Sequence, residues 1–120
     1  MADTARHSVE GLVGEQLSAV TFIQDYVELH FDGPVIRALT NPIVDSDGTR
    51  IAFPAPGSRD ALCRFVGRLV TKVEVKEAVS LSCHFQGGGS IIIPLDHDSY
   101  RGPEAMHFQE SPTGRLQVWN

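Results

Sequence analysis

Two five-residue segments constrain this chain more than anything else in it. Val27-Glu28-Leu29-His30-Phe31 and Leu81-Ser82-Cys83-His84-Phe85 each place an apolar residue at every second position. Successive strand side chains point to opposite faces, so each segment predicts a strand with one apolar and one polar face. Their surroundings correspond as well. Residues 9–39 lie over 62–95 with an offset of about 53 to 56, so that Val9, Leu12, Val13 and Gly14 fall on Leu62, Phe65, Val66 and Gly67. Leu17 and Val20 fall on Val70 and Val73. After one inserted residue the two segments coincide, and Gly33 falls on Gly87. A second apolar run follows in each half, Val35 to Leu39 and Ile91 to Leu95. The exits also correspond, Asn41-Pro42 through Asp47-Gly48 with Asp96 through Gly102-Pro103. Self-similarity on this scale predicts internal duplication.

The two pseudo-repeats run over about 4–48 and 58–104. Each reads as an αβββ unit: a short amphipathic helix stopped by a glycine able to adopt the left-handed conformation, then three strands. Ser58 is placed to cap the second helix, with Asp60 in its first turn. Thr4 or Ser8 would cap the first, which Gly11 weakens. Leu17 to Phe22 and Leu69 to Val75 predict the first strands. Asp32-Gly33 and Gly87-Gly88-Gly89 predict hairpin turns, and Ile91-Ile92-Ile93 a short strand. Arg115 to Trp119 alternates and predicts an edge strand over 115–119. The Pro- and Gly-rich segment 41–58 reads as a loop between the halves. The expected fold class is α+β, mainly β: one domain over 1–120, with two short helices on one sheet of six to eight strands or a small barrel.

At 120 residues a chain buries roughly two-thirds of its unfolded surface, so a core needs no staples. The net charge of −5 argues against nucleic acid, which calls for a basic face. No apolar run approaches the ~20 residues of a membrane helix. The first residues lack the basic-then-apolar order of a signal peptide, so a cytoplasmic location is expected. Cys63 and Cys83 sit in apolar runs and read as buried small hydrophobes in a reducing compartment.

The residues able to carry chemistry are few. His30 and His84 occupy equivalent positions and point away from the core. Were their strands neighbours, the imidazoles would form half a metal site; otherwise they are solvent-facing strand residues. Asp96-His97-Asp98 follows the last strand of the second half, where carboxylates bind cations or serve as turn acceptors. Asp45-Ser46-Asp47-Gly48 opens like a calcium loop, but Ala55 or Pro56 stands where the closing acid belongs, so it reads as a turn. In Tyr100-Arg101-Gly102-Pro103-Glu104-Ala105-Met106-His107-Phe108, a helix opened by Pro103 would put Glu104 and His107 on one face. With Arg101 they would form an acid–base pair beside an anion-binding arginine; alternatively Glu104 pairs with Arg101 and docks the C-terminal segment. Cys83 and His84 point to opposite faces and form no nucleophile–base couple. The glycines at 87–89 lack the lysine and helix of a phosphate loop. The candidate ligand-binding residues are therefore His30, His84, Arg101, Glu104 and His107. The metal candidates are His30, His84, Asp96 and His97. No catalytic residue is assigned and no cofactor is expected.

The motifs Gly67-Arg-Leu-Val-Thr-Lys-Val, Leu81-x-Cys-His-Phe-x-Gly and Tyr100-Arg-Gly-Pro-Glu-Ala cover about half the chain. They resemble a family of small uncharacterised bacterial proteins, a resemblance that implies no activity or site residue. In size and acidity the chain is also similar to immunity proteins, which block a toxin by covering its active site. Two readings follow. The first is a non-enzymatic protein-interaction module with an unidentified protein partner, open to homodimer formation through a sheet edge. The second is a ligand- or metal-binding protein, or an enzyme, with a pocket between the two repeats. Convergence of at least three of His30, His84, Asp96, His97, Glu104 and His107 would favour the second.

Overall fold

The computed structural model describes residues 8–111 and 113–120; Thr4, one of the two expected caps, lies outside them. The period-two segments form strands as their pattern dictates. Val27, Leu29 and Phe31 are buried while Glu28 and His30 are half-buried, and Leu81, Cys83 and Phe85 repeat this against Ser82 and His84. The first half runs through a 3-10 turn (Ser8–Leu12), β1 (Ala19–Ile23), β2 (Tyr26–His30), β3 (Val35–Ala38), β4 (Ile43–Ser46) and β5 (Thr49–Ala52). The second runs through α1 (Ser58–Cys63), β6 (Val70–Lys76), β7 (Ser80–Phe85), β8 (Ser90–Pro94), a 3-10 turn (His97–Ser99), β9 (Met106–Gln109) and β10 (Leu116–Trp119).

These strands make two five-stranded antiparallel sheets, not one sheet and not a closed barrel. Their orders are β1-β2-β3-β9-β10 and β5-β4-β8-β7-β6. Each half thus gives three consecutive strands to one sheet and a hairpin to the other. The expected three-strand unit is short by that hairpin. Segment 43–52, expected to be loop, is the β4–β5 hairpin, turning at Asp47 and Gly48 with φ of 54° and 75°. Positive φ at both central residues suits the twist of a two-residue hairpin. The segment after Pro103 forms strand β9, not the helix that would have put Glu104 and His107 on one face, with Met106 and Phe108 buried and His107 and Gln109 half-buried. β10 forms the expected edge strand.

Only one of the two expected helices is α-helical. In the first half Gly11 sits inside a 3-10 turn, in keeping with its poor helix propensity. The helical segments end at Leu12 and Cys63, and the turns that follow them close at the expected glycines, Gly14 and Gly67, with φ of 92° and 93°. Past these glycines the halves meet. Gly14 N–H donates to Val70 O (2.8 Å) and Gly67 N–H to Leu17 O (2.8 Å); Leu17 N–H donates to Arg68 O (3.0 Å) and Val70 N–H to Glu15 O (2.9 Å). Gln16 faces Leu69 in a single antiparallel bridge. An offset of 53 residues exchanges the members of each pair of bonds.

The inner faces of both sheets share one cluster of buried side chains, with Phe31, Phe65 and Phe108 the largest. Thr40, fully buried after β3, donates its hydroxyl to Pro94 O on β8 (2.7 Å). Cys63 is exposed, contrary to expectation, because it falls on the outer side of a helix one and a half turns long. Ser58 does not cap α1. Gly57 holds that position at a φ of 88°, and Ser58 is the first helical residue, its hydroxyl buried without a hydrogen-bond partner among the described residues. A buried unpaired hydroxyl is destabilising by about 1–3 kcal/mol. Ser58→Ala is therefore expected to stabilise the fold by about 1 kcal/mol, seen as a higher urea midpoint at unchanged slope. A lower midpoint would mean that the hydroxyl is bonded in solution.

Candidate functional site

The strand register lays five residues in a row across the outer face of the first sheet: Thr21 opposite Glu28, Glu28 opposite Arg37, Arg37 opposite His107, and His107 opposite Val118. Directly opposed side chains interact, and here they join into a chain of polar contacts. His30 Nε2 lies 3.1 Å from Glu28 Oε1. Arg37 Nε and Nη2 both donate to Glu28 Oε2 at 2.9 Å. Arg37 Nη1 lies 3.0 Å from His107 Nδ1, and His107 Nε2 lies 2.7 Å from Glu104 Oε1. Because a guanidinium only donates, Nδ1 of His107 accepts; its proton therefore sits on Nε2 and is donated to Glu104. The neighbours select one neutral tautomer of His107. Glu28 and His107, which flank Arg37, are the most enclosed, with side chains 14% and 18% exposed against 35% for Arg37.

Of the expected ligand-binding residues, His30, Glu104 and His107 are thus brought together, though by way of Glu28 and Arg37. Glu104 and Arg101 line one wall of an open cleft of about 240 Å³, opposite Asp25, Tyr26 and Leu39. Arg101 does not pair with Glu104. Its Nη2 donates to Leu39 O (3.0 Å), and Nη1 lies 3.9 Å from Asp25. The cleft lies between the two halves of the chain, as the ligand-binding reading requires. Arg37 escaped the sequence reading because it sits inside the apolar run Val35 to Leu39. The signal was there: it is the one charge in that run, at the position whose side chain must face away from the core.

His84 is not part of this group. It lies on β7 in the other sheet, facing away from the shared core, with Nε2 2.9 Å from Glu74 Oε1 and Lys72 at 3.4 Å from the same carboxylate. His30 and His84 do not approach each other, because their strands belong to different sheets; both are strand residues that face away from the core. Asp96 accepts from the Ser99 hydroxyl (2.8 Å) within its own turn, and His97 stacks on Tyr100 with centroids 4.9 Å apart. Among the described residues no three His, Cys, Asp or Glu side chains are grouped to hold a metal ion. No helix in them is long and apolar enough to cross a membrane. Comparison of the chain with protein-family models, curated proteins and solved structures gives no match.

Burial pushes the Cys83 thiol up to about 12, so it carries no thiolate at neutral pH. Cys63 is expected to react with a thiol reagent such as DTNB in the native protein at pH 8, and Cys83 only on unfolding. Two rapid equivalents without denaturant would contradict the burial of Cys83. The hydrogen bond from His84, and next the charge of Lys72, hold the Glu74 carboxyl below its ordinary 4.5. A carboxyl lowered on folding contributes stability above its unfolded value and loses it as pH falls through the folded one. The parent is therefore expected to gain stability over Glu74→Gln as pH rises through that range, and the two to converge in more acid solution. Urea midpoints at several pH values that run parallel for the two proteins would contradict this.

Proposed function

We propose that this protein is a non-enzymatic interaction module, built by internal duplication, that presents the outer face of its first sheet to a protein partner. The observation that carries this reading is the row His30–Glu28–Arg37–His107–Glu104, held in register by strands and by contacts of 2.7–3.1 Å. Fixing polar groups before contact lowers the ordering cost of binding. Equivalent positions on the second sheet are Ser82, Ile92 and Ile43, so the polar row belongs to one face only. The duplication is supported by the matching strand orders and the exchanged hydrogen bonds of the junction.

The first sheet also suits a second copy of the chain. Its edge strands, Ala19–Ile23 and Leu116–Trp119, carry no charge, whereas those of the second sheet carry Arg50 on β5 and Lys72, Glu74 and Lys76 on β6. Charged edges resist strand addition, and uncharged ones do not. The small size and acidity agree with an immunity-type role in the bacterial cytoplasm. A second reading, small-ligand binding, is favoured by the cleft of Asp25, Tyr26, Leu39 and Arg101 to Glu104.

The test is capture of the tagged protein from native lysate, with mass spectrometry of whatever co-purifies in near-equal amount. Arg37→Ala/His107→Ala is expected to weaken a stoichiometric protein partner by about tenfold or more. Because loss of Arg37 leaves the largely buried Glu28 without its ion-pair partner, the urea midpoint is read alongside, and Arg37→Lys/His107→Gln serves should the double alanine variant not fold. A partner held equally by the double variant would overturn the assignment of this face. A small molecule retained by the parent and lost by Arg101→Ala would establish the second reading instead.

A further inference from the structure

A second feature lies away from the polar row, at the turn end of the second sheet. Three segments meet there: the β4–β5 turn with Ser46 and Asp47, the glycine turn 87–89 between β7 and β8, and the stretch leaving α1 with Arg64, Phe65 and Arg68. They enclose a cleft of about 130 Å³, on the order of four water volumes. Phe65 floors it, its ring 4.7 Å from that of Phe85. A Cβ on Gly89 would lie 3.0 Å from the Phe65 ring and 3.3 Å from the Ser46 hydroxyl, at a φ of +87°. The close approach of the turn to its floor therefore requires glycine.

The two arginines are short of acceptors. Arg68 lies over the Phe65 ring at 5.4 Å and donates one long bond to Gly88 O (3.4 Å). The side chain of Arg64 has no ion-pair or hydrogen-bond partner among the described residues. A guanidinium offers five donors in a planar fork that matches oxyanions. Two of them line one small cleft with the Ser46 hydroxyl, in a chain whose net charge is −5. Asp47 on the rim forms no ion pair with either arginine.

We propose that this cleft binds a single phosphate group, free or as the monoester of a small molecule, between the Arg64 and Arg68 guanidiniums. The volume admits one tetrahedral oxyanion. The stacking of Arg68 on Phe65 orders one of the two forks before binding, and the Asp47 carboxylate opposes the anion. The site is independent of the polar row on the first sheet and shares no residue with it.

The test is an NMR titration of the ¹⁵N-labelled protein with inorganic phosphate, and separately with O-phosphoserine, at constant ionic strength. Saturable shifts are expected at the Gly87–Gly89 amides and the Arg64 and Arg68 Nε–H signals. Arg64→Gln/Arg68→Gln is expected to weaken binding by about tenfold or more. Asp47→Asn is expected to strengthen it by about threefold. Asn tolerates the left-handed conformation of that residue, so the fold is kept. Arg64→Gln alone, at an exposed position, serves should the double variant not fold. Tighter binding of O-phosphoserine than of phosphate points to an ester as the natural ligand, and the reverse to the free anion. Shifts absent with both probes, or unchanged in the arginine variants, overturn the proposal.

Discussion

The fold depends on a backbone exchange no larger than four hydrogen bonds. Gly14 and Leu17 bond to Val70 and Arg68, and Gly67 and Val70 to Leu17 and Glu15. Away from this junction the two sheets are joined by side-chain packing, by the connecting segments and by the hydrogen bond of the Thr40 hydroxyl to Pro94 O. At the junction the main chains themselves pair, so the relative placement of the sheets is set by directional bonds rather than by apolar contact alone. This explains why a helical segment, a glycine and a first strand occur together in each half. The chain must stop turning helically and then present an N–H to the opposite half within a residue. The left-handed φ of 92° and 93° at the two glycines permits that, and L-residues with side chains rarely adopt it.

The hairpins extend the same logic. Each sheet takes three strands from one half and two from the other, so neither half can complete a sheet alone. The buried Thr40–Pro94 hydrogen bond and the single shared core follow from this crossing. A sheet of three strands would have to leave β3 or β8 as an exposed edge. Here those strands are central, paired on their open sides with β9 and β4.

The strands with strict alternation and their glycine turns were legible in the sequence because each is specified locally. The β4–β5 hairpin was masked. Ile43-Val44-Asp45-Ser46 is only four residues long, and although Asp47-Gly48 carries the same turn signal as Asp32-Gly33, Pro42 and the Pro54–Gly57 stretch on either side point to a loop. Pairing with β8 makes it a strand, and that contact lies some fifty residues away in sequence. Met106 to Gln109 does alternate. Pro103 and the i,i+3 spacing of Glu104 and His107 suggest a helix start equally well, and local pattern cannot choose between them. The Glu104–His107 contact survives the change, since His107 opens onto the same face from the strand. The approach of Arg37 to His107 needed the sheet order, which no local signal carries.

The two outer faces show where the halves differ. Equivalent inner positions remain apolar in both, as with Leu29 and Cys83, Ile36 and Ile91, or Phe31 and Phe85, because one common core constrains them. Equivalent outer positions have no such constraint, and they diverge from Glu28, Arg37 and His107 to Ser82, Ile92 and Ile43. Stability alone does not account for the polar row, since half-buried charges carry a desolvation cost and hold long side chains at an entropic one. The second sheet has Ser82, Ile92 and Ile43 at those positions and forms the same five-stranded order. The polar row and the two guanidiniums at the far turns lie on different parts of the molecule and share no residue. The frame accommodates both because its outer surfaces carry fewer packing constraints than its junction and core.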